Sequence, residues 1–306
     1  MPDDVVVITP EVQAGTGGLA DYTLRVVEEW GTRARVRFLV PAQQDLRGGV
    51  PEDGGKLLLQ YSAYGYNRLG YPRSLLRSLM EWRTATQEAR LVVMLHEIWT
   101  FWPLLNKNRV IQHFHRADLR RLLCVADAVF TSTPSQAEHL RALAQTDSIQ
   151  VLPVGSNVRV SSSPTAREEG LAAVFGLPAA RLRALRSMQA NLKSLAEAKI
   201  IHRVVTIGDK TGGEEQELLA GLQLAAGWEQ RGSLPEAEVS HLLSRASFGI
   251  SAQDELSLMK SGTFMAYAAH GLNILSPYAD SLGPEPVCWL THPDELLRRV
   301  SAEELD

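Results

Sequence analysis

The stretch DELSLMKSGTFMAYAAHG, Asp254 to Gly271, sets an acid, a lysine and a Ser-Gly-Thr step ahead of a run of small and aromatic residues. Ser261, Gly262 and Thr263 fall on the first turn of the helix that TFMAYAAHG predicts. Backbone amides at a helix start are free, and with the positive end of the helix dipole they bind phosphate. Lys260 adds a formal positive charge there, and Glu255, at the mouth of the preceding strand, can accept hydrogen bonds from hydroxyls. The same residues also spell a serine N-cap with a solvated lysine and a solvated acid. Taken alone, they leave both readings open.

Three other stretches could do chemistry. AGTGGLADYT follows an apolar strand, and a strand, a glycine turn and a helix again gather free amides at one point. It is not a P-loop, since no Gly-Lys-Ser/Thr follows, and Gly15, Gly17 and Gly18 give GxGG instead of dinucleotide spacing. A tight turn packing helix on strand has the same composition. In MLHEIWTFWP, His96 and Glu97 stand just past a strand's C-terminal end, where open α/β sheets bind ligands. Trp99, Phe101 and Trp102 follow, and aromatic faces suit sugar rings and hydrophobic interfaces alike. YSAYGYNRLGYP, with Tyr64 and Tyr66, suits an adaptable binding surface as well as a loop ordered by stacking. No second histidine or carboxylate stands at helical spacing from His96, so no metal site is expected.

The 306 residues are 45% hydrophobic and 22% charged, enough for two domains with real cores. With 31 Lys and Arg against 35 Asp and Glu, the net charge of −4 argues against nonspecific nucleic-acid binding but permits a local basic pocket. Cys124 and Cys288 lack metal-ligand spacing, which points to a reducing compartment and not to a disulfide framework. MPDDVVVITP has acids where a signal peptide carries positive charge. No segment reaches the roughly 20 apolar residues that cross a bilayer. A cytoplasmic protein is expected, with peripheral membrane contact left open and the oligomeric state unspecified.

The elements that must position these residues alternate. VVVIT, ARVRFLV, KLLLQYSAY, RLVVMLHE, DAVFTST and SIQVLPVG read as strands, separated by amphipathic helices such as LADYTLRVVEEW and YPRSLLRSLMEWRTATQ. SSSPTAREEG is polar and breaks the pattern, as a linker does. Beyond it LAAVFG, HRVVTIG, SFGISA and LNILSP are strands, with RLRALRSMQANLKSLAEAK, EEQELLAGLQLAA and PEAEVSHLLSRA as helices and DELSLMKSG as a loop. LLRRVSAEELD closes the chain as a helix. The expectation is an α/β protein of two Rossmann-like domains, residues 1–160 and 167–306.

Several segments carry a further resemblance in order over most of the chain. They are the first strand with GTGGLADYTLRVV, LHEIW, ADAVFTSTPSQAEHL and VLPVGSNV, then AVFG, VVTIGDK and RGSLPEAEVSHLLSRASFGISAQDE. Together they resemble the retaining GT-B glycosyltransferases that use nucleotide sugars. The resemblance implies a GT-B fold whose two domains face a cleft. The second domain would bind a nucleotide diphosphate sugar as co-substrate, and the first a small-molecule or glycan acceptor.

It also implies roles for particular residues. Glu255 matches the first Glu of the family's Glu-x7-Glu motif, which contacts the donor sugar, and His96 matches a residue facing that sugar. Gly17 and Gly18 match the loop approaching the donor phosphates. Ser261, Gly262 and Thr263 fall near the loop whose amides hold the diphosphate, and Gly232 and Leu234 fall where backbone contacts to the base are expected. The aromatic side chains Tyr64, Tyr66 and Trp99 are the candidates for the acceptor.

Two departures stand out. Eight residues on from Glu255 lies Thr263, and aligning on AAHG puts Ala266 in the second Glu's place, so the usual ribose contact is missing. The family's Arg and Lys on the first loop of the second domain also have no clear counterpart. Arg181 is the nearest candidate, and Lys260 is inferred to supply charge from the other side. Without an Asp-x-Asp motif, a metal-independent reaction relying on helix-end amides and a basic side chain is expected, with no further cofactor. Three rivals are a degenerate GT-B binding protein, a GT-B nucleotide-sugar epimerase and an NAD(P)-dependent oxidoreductase. The last lacks an acid after ARVRFLVP to hold a ribose hydroxyl.

Overall fold

A computed structural model describes residues 3–13, 18–41, 49–51, 55–86, 88–98, 106–161, 166–209 and 212–303. The chain divides into two compact units, Met1–Pro153 and Val154–Asp306. Each is built on one parallel sheet, because apolar β-branched runs alternate with helices long enough to make the crossover between parallel strands.

The first unit has six parallel strands: β1 (Asp3–Ile8), β2 (Ala34–Leu39), β3 (Lys56–Ser62), β4 (Arg90–Glu97), β5 (Ala128–Thr131) and β6 (Ile149–Val151). They lie in the order β2-β1-β3-β4-β5-β6. Its helices are α1 (Gly18–Trp30), α2 (Ala63–Tyr66), α3 (Arg73–Ala85), α4 (Asn106–Val125) and α5 (Pro134–Ala144). Successive side chains of a strand point to opposite faces. Val6 and Ile8 therefore enter a core with Leu75, Leu79 and Trp82 of α3, while Val7 joins Leu58 and Met94 under Val26 and Trp30 of α1. Burial on both faces explains the continuous apolar runs in the sequence.

The second unit has five: β7 (Glu168–Phe175), β8 (Arg203–Ile207), β9 (Trp228–Gln230), β10 (Ala246–Ile250) and β11 (Asn273–Leu275). Their order is β11-β10-β7-β8-β9. Helices α6 (Pro178–Glu197), α7 (Gly213–Ala220), α8 (Glu236–Arg245), α9 (Glu255–Leu258), α10 (Gly262–Ala269) and α11 (Pro293–Glu303) complete it. Ala172 and Val174 pack against Leu185, Met188 and Leu192 of α6, and Leu171 and Ala173 against Leu243, Phe264 and Tyr267 on the opposite face.

Three local differences from the sequence reading appear. The stretch KLLLQYSAY leaves the sheet at Ser62 and turns into α2. DELSLMKSG contains the single-turn α9, and β9 arises from WEQ, which is too short and too polar to show a period. The strand RLVVMLHE is observed over the residues expected, Arg90–Glu97.

Candidate functional site

In an open parallel sheet, ligands bind outside the strand C-termini at the point where the order reverses. In the second unit that point lies between β7 and β10, whose connections leave toward opposite edges. Four segments meet there: Gly176 after β7, the loop after β10, α9, and the start of α10.

The start of α10 is made by Ser261. Its Oγ accepts a hydrogen bond from the Phe264 amide at 3.2 Å, and the Met265 amide donates to the Ser261 carbonyl at 3.0 Å. By helix geometry the Gly262 and Thr263 amides are left with no acceptor within the helix. Gly176 has φ +128, and a Cβ on it would come within 2.9 Å of Thr263 Oγ1. Glycine is thus required both for the backbone turn and for the approach of β7 to α10. Lys260 and Glu255 are exposed beside this end, and Lys260 makes no ion pair among the described residues.

Asn157 is a member of this constellation that no motif announced. A Cβ on Gly262 would lie 3.2 Å from Asn157 Cγ, so its carboxamide rests on the first residue of α10. Its Oδ1 is buried and has no hydrogen-bond partner among the described residues. Such an orphan costs about 1–3 kcal/mol until something bonds to it. VLPVGSNV contained Asn157, but nothing in the sequence places it against Gly262.

Tyr267 closes the floor of the switch point. Its buried hydroxyl accepts from the Phe175 amide at 2.6 Å and faces the carbonyls of Ala173 at 3.2 Å and Ile250 at 3.4 Å. The ring lies across Gly249, where a Cβ would come within 2.7 Å of it. Burial holds the phenol well above its usual pKa, so it is neutral. Ala266, one position put forward for the missing second Glu, is fully buried and has no polar group to offer.

Arg181, put forward as a phosphate ligand, occupies a different environment. It is 2% exposed and pairs with the fully buried Glu215, Nη2 to Oε2 at 3.0 Å. Nη1 donates to the Gly176 carbonyl at 2.5 Å and Nη2 to the Asp209 carbonyl at 2.6 Å. The guanidinium therefore ties the loops after β7 and β8 together from inside. Gly208, at φ +133, makes room for it, since a Cβ there would come within 2.3 Å of Arg181 Nη1. The Gly232 carbonyl accepts from the Gly208 amide at 2.9 Å, and the Ser233 hydroxyl donates to Asp209. Leu234 packs half-buried on the core below.

In the first unit the order reverses between β1 and β3. His96 sits half-buried near the end of β4. Its Nε2 lies 2.7 Å from Gln60 Oε1, and its ring forms a T-shaped pair with that of Tyr22, with centroids 4.9 Å apart. Burial lowers its pKa to about 4, so the imidazole is neutral near pH 7. Gln136 Nε2 donates to the His96 carbonyl at 3.3 Å. A register shift between Tyr61 and Ser62 sets Ser62 opposite Glu97, and the Ser62 hydroxyl donates to Glu97 Oε2 at 3.1 Å.

The acceptor candidates flank this edge. Tyr64 is exposed on α2, and the Tyr66 hydroxyl donates to the Gln60 carbonyl at 2.9 Å. Gly18 opens α1, with no atom within 4 Å of a Cβ built on it. Gly17 and Trp99 lie outside the described residues.

No protein-family model matches the chain, and no curated protein matches it. Solved structures do. The α,α-trehalose-phosphate synthase (UDP-forming) of Burkholderia xenovorans, in complex with glucose-6-phosphate, superposes with a TM-score of 0.56 over 99% of this chain and 92% of that one, at 12% identity. The α,α-trehalose 6-phosphate synthase of Burkholderia multivorans gives 0.56 over 99% and 88%, at 11% identity. The lipopolysaccharide outer core galactosyltransferase WaaB in its apo form gives 0.54 over 99% and 91%, at 13% identity. At such identities the likeness is one of fold, two Rossmann-like units in tandem.

Proposed function

We propose that this chain, a GT-B fold of two Rossmann-like units, transfers a glycosyl group from a nucleotide diphosphate sugar to an acceptor hydroxyl, with retention and without a metal. The observation that carries the reading is the start of α10: two amides without helix acceptors, beside Lys260, which makes no ion pair among the described residues. A diphosphate leaving group needs hydrogen-bond donors and positive charge that are in place before the bond breaks. Lys260 would supply the charge that Arg181, neutralised by Glu215, cannot. Glu255 would accept from the donor sugar's hydroxyls. Neutral His96 would face the sugar as a hydrogen-bonding group, and the departing phosphate would take the acceptor's proton. Tyr64 and Tyr66 mark the acceptor side, and Gly232 and Leu234 the base side.

Neighbours of known activity support the donor class: one is named as a UDP-forming synthase and another as a galactosyltransferase. Thermal shift with UDP, GDP, TDP and ADP tests the reading, since a ligand that binds only the folded state raises the melting point. One nucleotide should stabilise the protein by several degrees, and calorimetry should show Lys260→Ala binding it at least about tenfold more weakly, a loss of about 1.4 kcal/mol. No stabilisation by any of the four, or unchanged affinity in Lys260→Ala, removes this assignment.

A second reading has its own support. Neither Thr263 nor buried Ala266 supplies the carboxylate that a Glu-x7-Glu motif would place here. A chain that binds the donor and never turns it over would show nucleotide binding with no nucleotide release on any acceptor tried.

A further inference from the structure

Apart from Leu152 after β6, the large apolar side chains exposed among the described residues of the first unit are not scattered. Leu69 is 70% exposed, Val110 57%, Phe114 55% and Tyr64 43%, and they belong to two stretches that pack together. Tyr71, two residues beyond Leu69, donates its hydroxyl to Asp118 of α4 at 2.5 Å, and its ring lies 5.5 Å from that of His115. Phe114 and Val110 precede Asp118 by one and two turns, and Arg121 follows it by three residues, so these side chains run along one flank of that seam. Arg121 Nη1 donates to Asp118 Oδ1 at 3.3 Å.

Charge is segregated in the same place. Residues 63–80 and 106–117 contain six Lys and Arg and no Asp or Glu, in a chain whose net charge is −4, and the nearest exposed acid of α3 is Glu81, one turn beyond Arg77. Arg68, Arg73 and Arg77 are exposed and make no ion pair among the described residues. The acid at the seam, Asp118, is buried under Tyr71. A globular surface usually mixes charges and leaves single apolar side chains apart. Four large apolar side chains near Arg68, Arg73 and Arg77, which make no ion pair among the described residues, mark a surface that is built to be covered.

We propose that this face docks on an anionic lipid bilayer. Arg68, Arg73 and Arg77 would engage lipid phosphates, and Leu69, Val110 and Phe114 would enter the boundary between headgroups and acyl chains. Guanidiniums bind phosphate oxygens bidentately, and aliphatic side chains gain from the apolar layer just beneath. A nucleic acid would match the charge but gives Leu69 and Val110 nothing to stack on. An acidic protein would need no ring of apolar tips at the rim. No helix among the described residues is long and apolar enough to cross a membrane, so the contact would be peripheral. Tyr64 is exposed five residues before Leu69, so an acceptor bound there would be presented at the lipid surface.

Co-sedimentation of the full chain with vesicles tests this, and it reads lipid binding whether or not the glycosyl-transfer reading holds. The protein should pellet with phosphatidylcholine vesicles containing phosphatidylglycerol, stay in solution with phosphatidylcholine alone, and lose binding steeply as salt rises. Each basic residue near an anionic surface contributes about fivefold in affinity, so R73E/R77E should weaken binding at least about 25-fold. L69E/F114E should also release the protein, with its melting temperature unchanged because both side chains are exposed. Failure to bind the anionic vesicles, or binding retained in both double variants, overturns the proposal. So does retention on single-stranded DNA without any vesicle binding.

Discussion

A guanidinium can hold a ligand or hold a fold, and Arg181 shows how the choice is made. With Glu215 against it and the carbonyls of Gly176 and Asp209 filling its fork, it presents no free charge to solvent. Removing one partner of a buried pair strands the other, at a cost of about 3–5 kcal/mol. Arg181→Met should therefore lower the unfolding free energy by about that amount, measured by chemical denaturation. A variant as stable as the parent would show that Glu215 is not held by this pair. Asp127 plays a lesser part in the first unit. Burial opposes its ionisation, but the Leu91 amide and the Arg90 and Arg83 guanidiniums outweigh that and hold its carboxyl below the usual value.

At the scale of elements, α10 is the piece on which the candidate site turns. Its eight residues are too few to form a stable helix alone, so packing and capping must hold it. Tyr267 and Phe264 supply the packing and Ser261 the cap. Ser261→Ala should lower stability by about 1 kcal/mol. It should also weaken nucleotide binding, because the Gly262 and Thr263 amides would lose their fixed direction. Stability lost with binding intact would separate the cap from the site. The register shift at Tyr61 and Ser62 has a comparable role on β3, since without it Ser62 would not stand opposite Glu97.

For the whole molecule, acid is the informative stress. Burial depresses His96 and His115 to about 4, with nearby Asp118 partly offsetting the effect on His115. Unfolded histidines titrate near 6.5, so between these values the unfolded chain binds more protons than the folded one. The stability held above pH 6.5 is thus lost as pH falls toward 4, by up to about 1.4 kcal/mol per pH unit for fully buried His115. Denaturation curves from pH 7.5 to 4.5 should show this decline, and His115→Gln should make it shallower while leaving the share of His96. A flat profile in the parent protein would mean that these rings are protonated in the fold.

The pattern of residues along the chain set the α/β alternation, because strand and helix have different periods and Gly and Pro mark their ends. It also determined the helix start at Ser261, since the capping residue lies beside the amides it orders. Strand order, and with it the reversal between β7 and β10, was decided only by tertiary structure, because pairing joins segments that no local pattern links. The fate of Arg181 was decided there too. Glu215 is 34 residues away, and spacing cannot tell a guanidinium that meets a buried carboxylate from one that meets a ligand. Asn157 comes to rest against Gly262 for the same reason. Local chemistry is written along the chain, whereas burial and partnership depend on which distant side chains the packed core brings together.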